Sequence, residues 1–373
     1  MSSRVVAARG VPICIPAQSW RVPRLLALSI ALFSAGVSSA TEDPVVVASN
    51  DETDLAFEIM LSEVLVIGAE DGSESPVLGR VFGIAVDSQD DIYVLDNGFQ
   101  RIQRYNKEGI LKQTIGHAGE GPGEFEYPTA IDVDVRDEVH VADRGKIVVF
   151  DSDGNLKREI HHELAGVGLI RAIAISDEGD TYVSCTDIFE QKVIHRLSDT
   201  GKVTLSFCDT YGVGQEVDAR VEATYAGGYI DLDSSGAVYY TQMTPYEIRR
   251  FTPQGQLQLR STRETAFAPP PEVRRAGEGM AFGPLTGSFS VVVVNDDQIL
   301  NTLKKPASET QPSETVIDLF DAQGRILASK RLRKDLTVRC ADASGHVYGF
   351  DQTEVPRIVK YRLEIAKRLE GKR

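Results

Sequence analysis

Arg101, Lys146 and Arg357 stand at matching starts of one recurring strand, and Tyr127, Arg171 and Tyr229 lie near the starts of another. Forked guanidinium hydrogen bonds and aromatic faces at such positions suit an anionic or sugar-like ligand. A plainer chemistry competes with this. A basic residue at a strand start can pair with the acid that ends the preceding strand, here Asp96, Asp143 or Asp351, in an ion pair of small energetic weight. The same aspartates invite a metal reading, because hard cations take carboxylate oxygens. Their recurrence at one hairpin position points instead to turn capping, since one device explains every copy whereas a metal needs unlike positions to converge. Asp132 and Asp231 interrupt apolar strands, and repetition does not account for them. Neither a metal nor a cofactor is expected.

The histidines form no nucleophilic or metal-binding constellation. His140 stands where other repeats carry Tyr, His195 lies within a strand, and His161 and His162 open a loop, none at a spacing that gives it a partner. His117 borders the glycine-rich run that begins at Gly116, but no helix follows that run, so the dipole and amide cradle of a phosphate site are absent. No residue is expected to be catalytic.

The elements that must position these side chains are written six times. Ile102, Ile147, Ile194, Ile248, Ile317 and Ile358 are followed three residues later by Tyr105, Phe150, Leu197, Phe251, Phe320 and Tyr361. Five of these strands turn at Gly109, Gly154, Gly201, Gly255 or Gly324, because a tight hairpin needs a residue that tolerates positive φ. Upstream, a first strand ends at Asp87, Asp134, Ser176, Asp233, Asn295 or Asp342, whose short polar side chains cap turns. A second strand then carries Tyr93, His140, Tyr182, Tyr239, Ile299 or Tyr348 in register, as packing between successive sheets. The last unit supplies only Leu336 to Ala341, His346 to Asp351 and Arg357 to Leu363, and the segment Phe57 to Ile67 reads as the outer strand it lacks. The sequence therefore predicts an all-β fold: a six-bladed β-propeller of four-stranded antiparallel blades, its ring closed by Phe57 to Ile67 so that no sheet edge is left open.

From Gly116 the wording becomes specific, with Gly119-Glu120-Gly121 and Gly123-Glu124-Phe125 leading to Pro128, then an apolar strand and Val139-His140-Val141-Ala142-Asp143. This resembles the NHL-repeat family of six-bladed propellers, whose units read Gly-x-Gly-x-Phe-x-x-Pro, an apolar strand, Val-Tyr-Val-x-Asp and Arg-Ile-x-x-Phe. Ile92-Tyr93-Val94-Leu95-Asp96 and Arg101-Ile102 carry the likeness into the first blade. It fades in the fourth and fifth, where Gln242 and Thr302 replace the strand-end Asp. The resemblance implies a bacterial exported propeller.

Residues 1–40 have the order of a secretory signal peptide: Arg21 and Arg24, an apolar run from Leu25 to Phe33, then small residues to Ala40. That run is shorter than the roughly 20 residues of a membrane-spanning helix. Residues 41–54 are expected to be a flexible N-terminal segment, 55–367 the propeller and 368–373 a C-terminal tail. The protein would then be periplasmic or secreted. Cys185, Cys208 and Cys340 are expected as free thiols, the first two being too far apart for an unstrained bridge. The formal charge is −15, and loss of Arg4, Arg9, Arg21 and Arg24 with the leader makes the domain more acidic. Such a surface repels nucleic acid and suits a neutral, cationic or protein partner.

A propeller binds most readily where the loops converge on the channel. The long segments Thr265 to Gly287 and Leu303 to Glu314 belong to that face and carry no strand pattern. The expected role is a non-catalytic binding platform for protein, peptide or glycan at the loop-rich mouth. The rival is a propeller lyase or lactonase holding a divalent metal in the channel, though the ordered Glu, Asn and Asp motifs of gluconolactonase-like families are missing.

Overall fold

The computed structural model describes residues 45–50, 55–68, 77–164, 169–187, 189–210, 227–263, 265, 273–276, 279–282, 286–305, 312–351 and 355–368, all within one compact unit, Asp43–Arg373. The expected signal peptide and residues 369–373 of the tail lie outside the described residues, as does part of each long loop.

Each blade is an antiparallel sheet whose strands follow one another outward from the centre. After β1 (Val46–Asn50) and β2 (Phe57–Ile67), blade one is β3 (Val81–Val86), β4 (Ile92–Asp96), β5 (Arg101–Tyr105) and β6 (Leu111–Ile115). Blade two is β7 (Ala130–Val133), β8 (Val139–Asp143), β9 (Lys146–Phe150) and β10 (Leu156–His161). Blade three is β11 (Ala172–Ile175), β12 (Thr181–Asp187), β13 (Lys192–Leu197) and β14 (Val203–Asp209). Blade four is β15 (Gly228–Leu232), β16 (Val238–Gln242), β17 (Glu247–Phe251) and β18 (Leu257–Arg263). A separate hairpin, β19 (Val273–Ala276) with β20 (Gly279–Phe282), follows. Blade five is β21 (Gly287–Asn295), β22 (Gln298–Lys305), β23 (Glu314–Asp321) and β24 (Ile326–Leu332). Blade six is β25 (Leu336–Ala341), β26 (His346–Asp351) and β27 (Arg357–Lys367), with β2 outermost.

The inner strands touch in the order β3, β7, β11, β15, β21 and β25, and β25 returns to β3, which makes the array a closed ring. Six apolar clusters hold it, each shared by two neighbouring blades. The repeated aromatics occupy these seams: Tyr93 between blades one and two, Tyr182 between three and four, Tyr239 between four and five, Tyr348 between six and one. The five turn glycines all take positive φ, from 74° to 81°. Blade six needs none, because its outer strand comes from the other end of the chain. β2 pairs with β27 from Phe57↔Lys367 to Ile67↔Ile358, so β27 runs past Leu363 to Lys367.

Three segments differ from the sequence expectation. Residues Val46–Asn50 of the supposedly flexible segment form β1, a fifth strand laid parallel on β18. The reason is Asn50, whose side chain donates to Ser261, Thr262 and Gly324 and accepts from the Ile326 amide, joining blades four and five. The long segment from Thr265 contains the β19–β20 hairpin, and the β22 ladder continues through Leu303 to Lys305, where a loop is expected.

Candidate functional site

The inner strands place different devices at their two ends. At their ends after Val86, Val133, Leu232 and Ala341, the turn aspartates hold the following hairpin. Asp87 Oδ1 accepts the amides of Gln89 and Asp91, each at 2.9 Å, and Asp134, Asp233 and Asp342 do the same in their blades. The second oxygen takes the aromatic hydroxyl, Tyr93 on Asp87 at 3.1 Å and Tyr348 on Asp342 at 2.9 Å. In blade two His140 Nε2 fills that position, 3.3 Å from Asp134.

This substitution creates the one three-residue cluster of metal-ligand type among the described residues, Asp134, Glu138 and His140, with donor atoms within 4.8 Å of one another. The site does not suit a cation. Arg136 sits 2.7 Å from Asp134, and Arg158 and Lys157 both pair with Glu138, so the carboxylates are already neutralised.

Asp132 and Asp231, which repetition left unexplained, are ties between blades. Asp132 Oδ2 accepts the amide of Ile175 in blade three and Asp231 Oδ2 that of Val293 in blade five, each at 2.8 Å. An inner strand has a ladder partner on one side only, and these carboxylates satisfy donors on the other. Burial pushes the Asp132 carboxyl up to about 7, with the Asp231 charge adding to the effect, and burial raises Asp231 to about 6.

The opposite end of the inner strands opens into a cavity of about 590 Å3 to which all six blades contribute. Among the described residues Arg80, Arg171, Lys304 and Arg339 line it with a single carboxylate, Asp335. Lys304 pairs with that carboxylate, while Arg80, Arg171 and Arg339 pair with no carboxylate among the described residues. Aromatic rings support the charges instead. The Arg339 guanidinium lies 4.4 Å from the Tyr229 centroid and 5.4 Å from that of Phe350, and Arg80 lies 5.0 Å from that of Phe82. Such stacking holds a cation by its face and leaves N–H groups to donate. Burial alone would raise the Tyr229 phenol, but Arg339, Arg171 and Lys304 outweigh it and bring the group below its ordinary range.

Local backbone explains how these side chains reach the cavity. Phe82, Phe289 and Arg339 are each the extra residue of a β-bulge, between Val81 and Gly83, Ser288 and Ser290, and Val338 and Cys340. A bulge breaks the alternation of a strand and re-aims one side chain. The strand-end aspartates then fix the loops that enter the mouth: Asp96 accepts the Arg80 amide at 3.0 Å and Asp143 that of Tyr127 at 2.6 Å.

Tyr127, Arg171 and Tyr229 of the six sequence-selected residues therefore come together at the mouth. Arg101, Lys146 and Arg357 do not line it. Arg101 lies 3.6 Å from Asp96 and donates to the Val77 carbonyl, and Arg357 lies 3.2 Å from Asp351. Lys146 departs from the expected strand-end pairing: buried, it meets Glu159 at 2.7 Å, because Asp143 is engaged by loop amides. Glu159 also accepts the Gly123 amide, and His117 contacts Glu124, so the glycine-rich loop is held by carboxylates. Arg80, Lys304 and Arg339 are absent from the sequence-based set. Arg80 was legible, since it occupies the same place before Asp87 that Tyr127 occupies before Asp134. Arg339 was not, because a bulge leaves no mark in the repeat pattern.

Residues 37–195 match the family DUF5128, described as 6-bladed beta-propeller. The protein is a six-bladed β-propeller. Its fold is similar to that of a Bacteroides fragilis protein thought to be exported, with 10% identity over 87% of this chain and 100% of that one and a TM-score of 0.56. A DUF4221 family member from Bacteroides vulgatus shares 9% identity over 84% of this chain and 100% of its own, at a TM-score of 0.59. At such identities the likeness is one of architecture. Among curated proteins none matches the propeller by sequence. No helix among the described residues is long and apolar enough to cross a membrane.

Proposed function

We propose that this chain is an exported, non-catalytic propeller of NHL-like type that recognises an anionic protein, peptide or glycan ligand at the channel mouth. The observation that supports this is charge placed against the trend of the molecule. The chain carries a formal −15, yet Arg80, Arg171 and Arg339 meet around one axial cavity without carboxylate partners among the described residues. A structural role needs no such concentration, since the buried Lys146 is matched to an acid within the protein. The cavity volume falls in the usual range of small-ligand sites, which favours the end of a chain over a folded surface. Tyr127, 37% exposed and packed edge-on against Phe82, offers a free aromatic face beside the cations. In this reading Tyr127, Arg171 and Tyr229 contact ligand, while Arg101, Lys146 and Arg357 maintain the scaffold. Export rests on the leader order of residues 1–40.

The test is a calorimetric titration of the purified protein with acidic and neutral peptides and oligosaccharides. Acidic probes should bind more tightly at low salt, and Arg171→Ala should weaken them about tenfold with folding unchanged. A ligand held equally well by wild type and Arg171→Ala, or neutral probes outcompeting acidic ones, would remove the reading.

A further inference from the structure

A smaller space of about 60 Å3 adjoins the mouth cavity. Ile84, Ile131, Ile173, Ile230 and Val291 wall it, one from each of five successive blades. Phe82, Arg171, Tyr229 and Arg339 line both spaces, so two arginines stand where cavity and well meet. Two polar atoms of residues lining the well lack partners although both are buried: Arg339 Nε, and the hydroxyl of Ser290, a residue only 2% exposed. Buried donors are ordinarily satisfied, and here nothing in the described protein satisfies them.

We propose that the mouth reads the free C-terminus of a peptide or protein ending in a small apolar residue such as Ala or Val. This rests on the mouth being the ligand site. The α-carboxylate accepts from Arg171, Arg339 and Ser290, the last side chain fills the well, and the preceding residues lie in the larger cavity against Tyr127. Spacing selects this chemistry. In an α-carboxylate the charge is one carbon away from the apolar branch, matching cations that border an apolar well. A uronate sugar would set hydroxyls against the isoleucine wall, at the cost of burying polar groups without partners. A fatty acid bears no branch beside its carboxylate to fill a well that the cations border, and its extended chain overruns so small a space.

Fluorescence anisotropy with labelled hexapeptides ending in Val tests it. The free acid should bind, and the same peptide with an amidated C-terminus should bind about 10- to 100-fold more weakly, the range for loss of charged hydrogen bonds. Replacing the terminal Val by Asp or Phe should weaken binding about tenfold or more, and Arg171→Ala should bring acid and amide together. Ala172→Leu narrows the well and should weaken Val-ended peptides; the terminal-residue series on wild-type protein gives the same information should that variant fold poorly. Equal binding of acid and amide, indifference to the last residue, or no binding of the free acid at millimolar concentration overturns the proposal. Oligogalacturonate bound in an Arg171-dependent way, with no C-terminal preference among peptides, overturns it while leaving the mouth as the ligand site. If no probe of any class responds to Arg171→Ala, both fall.

Discussion

The two ends of the inner strands follow opposite rules. At the turn end the blades reuse one device: an Asp that binds two amides ahead of it and, in blades one and six, a Tyr hydroxyl. Its charge is met by basic neighbours, Arg104 on Asp87, Arg136 on Asp134, Arg250 on Asp233 and Lys360 on Asp342. At the mouth the contributions are mixed, arginines from blades one, three and six and tyrosines from two and four, and the three guanidinium groups pair with no acid among the described residues. Reuse in four blades, with Ser176 and Asn295 accepting turn amides in the other two, marks a solution to a folding problem that every blade has. Unpaired cations converging on one axis have no such explanation, which supports the proposed ligand site at the mouth over the turn end.

The sharpest way to break this comparison is to remove a repeated carboxylate. Asp87→Ala strips two amides, Tyr93 and Arg104 of their acceptor and should cost about 3 kcal/mol of stability in urea unfolding, while ligand affinity per folded molecule stays unchanged. A loss of affinity at constant stability would show that the two ends are not separable.

A second experiment uses the ties between blades. Asp132, lifted to about 7 in the fold, releases its proton near its ordinary value when unfolded, so its favourable contribution is complete below about pH 4 and is lost as pH rises through 7. The stability of Asp132→Asn relative to wild type should therefore increase by about 2 kcal/mol between pH 4 and pH 8, a figure discounted because the carboxyl keeps partial contact with water. A flat difference across that range in paired thermal melts would mean that Asp132 is ionised normally.

Asp96→Asn lies between the two regions, since Asp96 ends a repeated strand yet holds the Arg80 amide. It should cost about 1 kcal/mol and also weaken ligand binding, which would sharpen the boundary between scaffold and site. Smallest of all on folding is Arg171→Ala: an exposed arginine without a partner among the described residues should change stability by less than about 0.5 kcal/mol in denaturant titration. A larger destabilisation would give Arg171 a structural purpose and weaken the contrast drawn above.

Much of the propeller was written locally. A glycine that must take positive φ, an Asp that reaches its own turn and a Tyr two residues into the next strand depend on neighbours in sequence, and repetition showed the glycine in five units and the Asp and Tyr in four each. The detached strand Phe57–Ile67 was legible for the same reason, since the last unit lacked its outer member and this segment precedes the first complete unit. Side-chain destinations were less so. Arg101 and Arg357 meet the strand-end acids that their repeat position indicated, Asp96 and Asp351, whereas Lys146 at the same position meets Glu159 of the outer strand, which the repeat did not indicate.

What the sequence determined by itself was the unit and its number, because hairpin chemistry and alternating burial act over a few residues. Tertiary structure alone decided that Arg80, Arg171 and Arg339 share one cavity, since ring closure brings residues more than 250 positions apart to one axis, and that Asp132 and Asp231 bind the next blade. It alone decided the aim of Phe82, Phe289 and Arg339 as well. A bulge is a local break in pairing with a neighbouring strand, and which residue is squeezed out of register depends on that neighbour and on the blades packed around it.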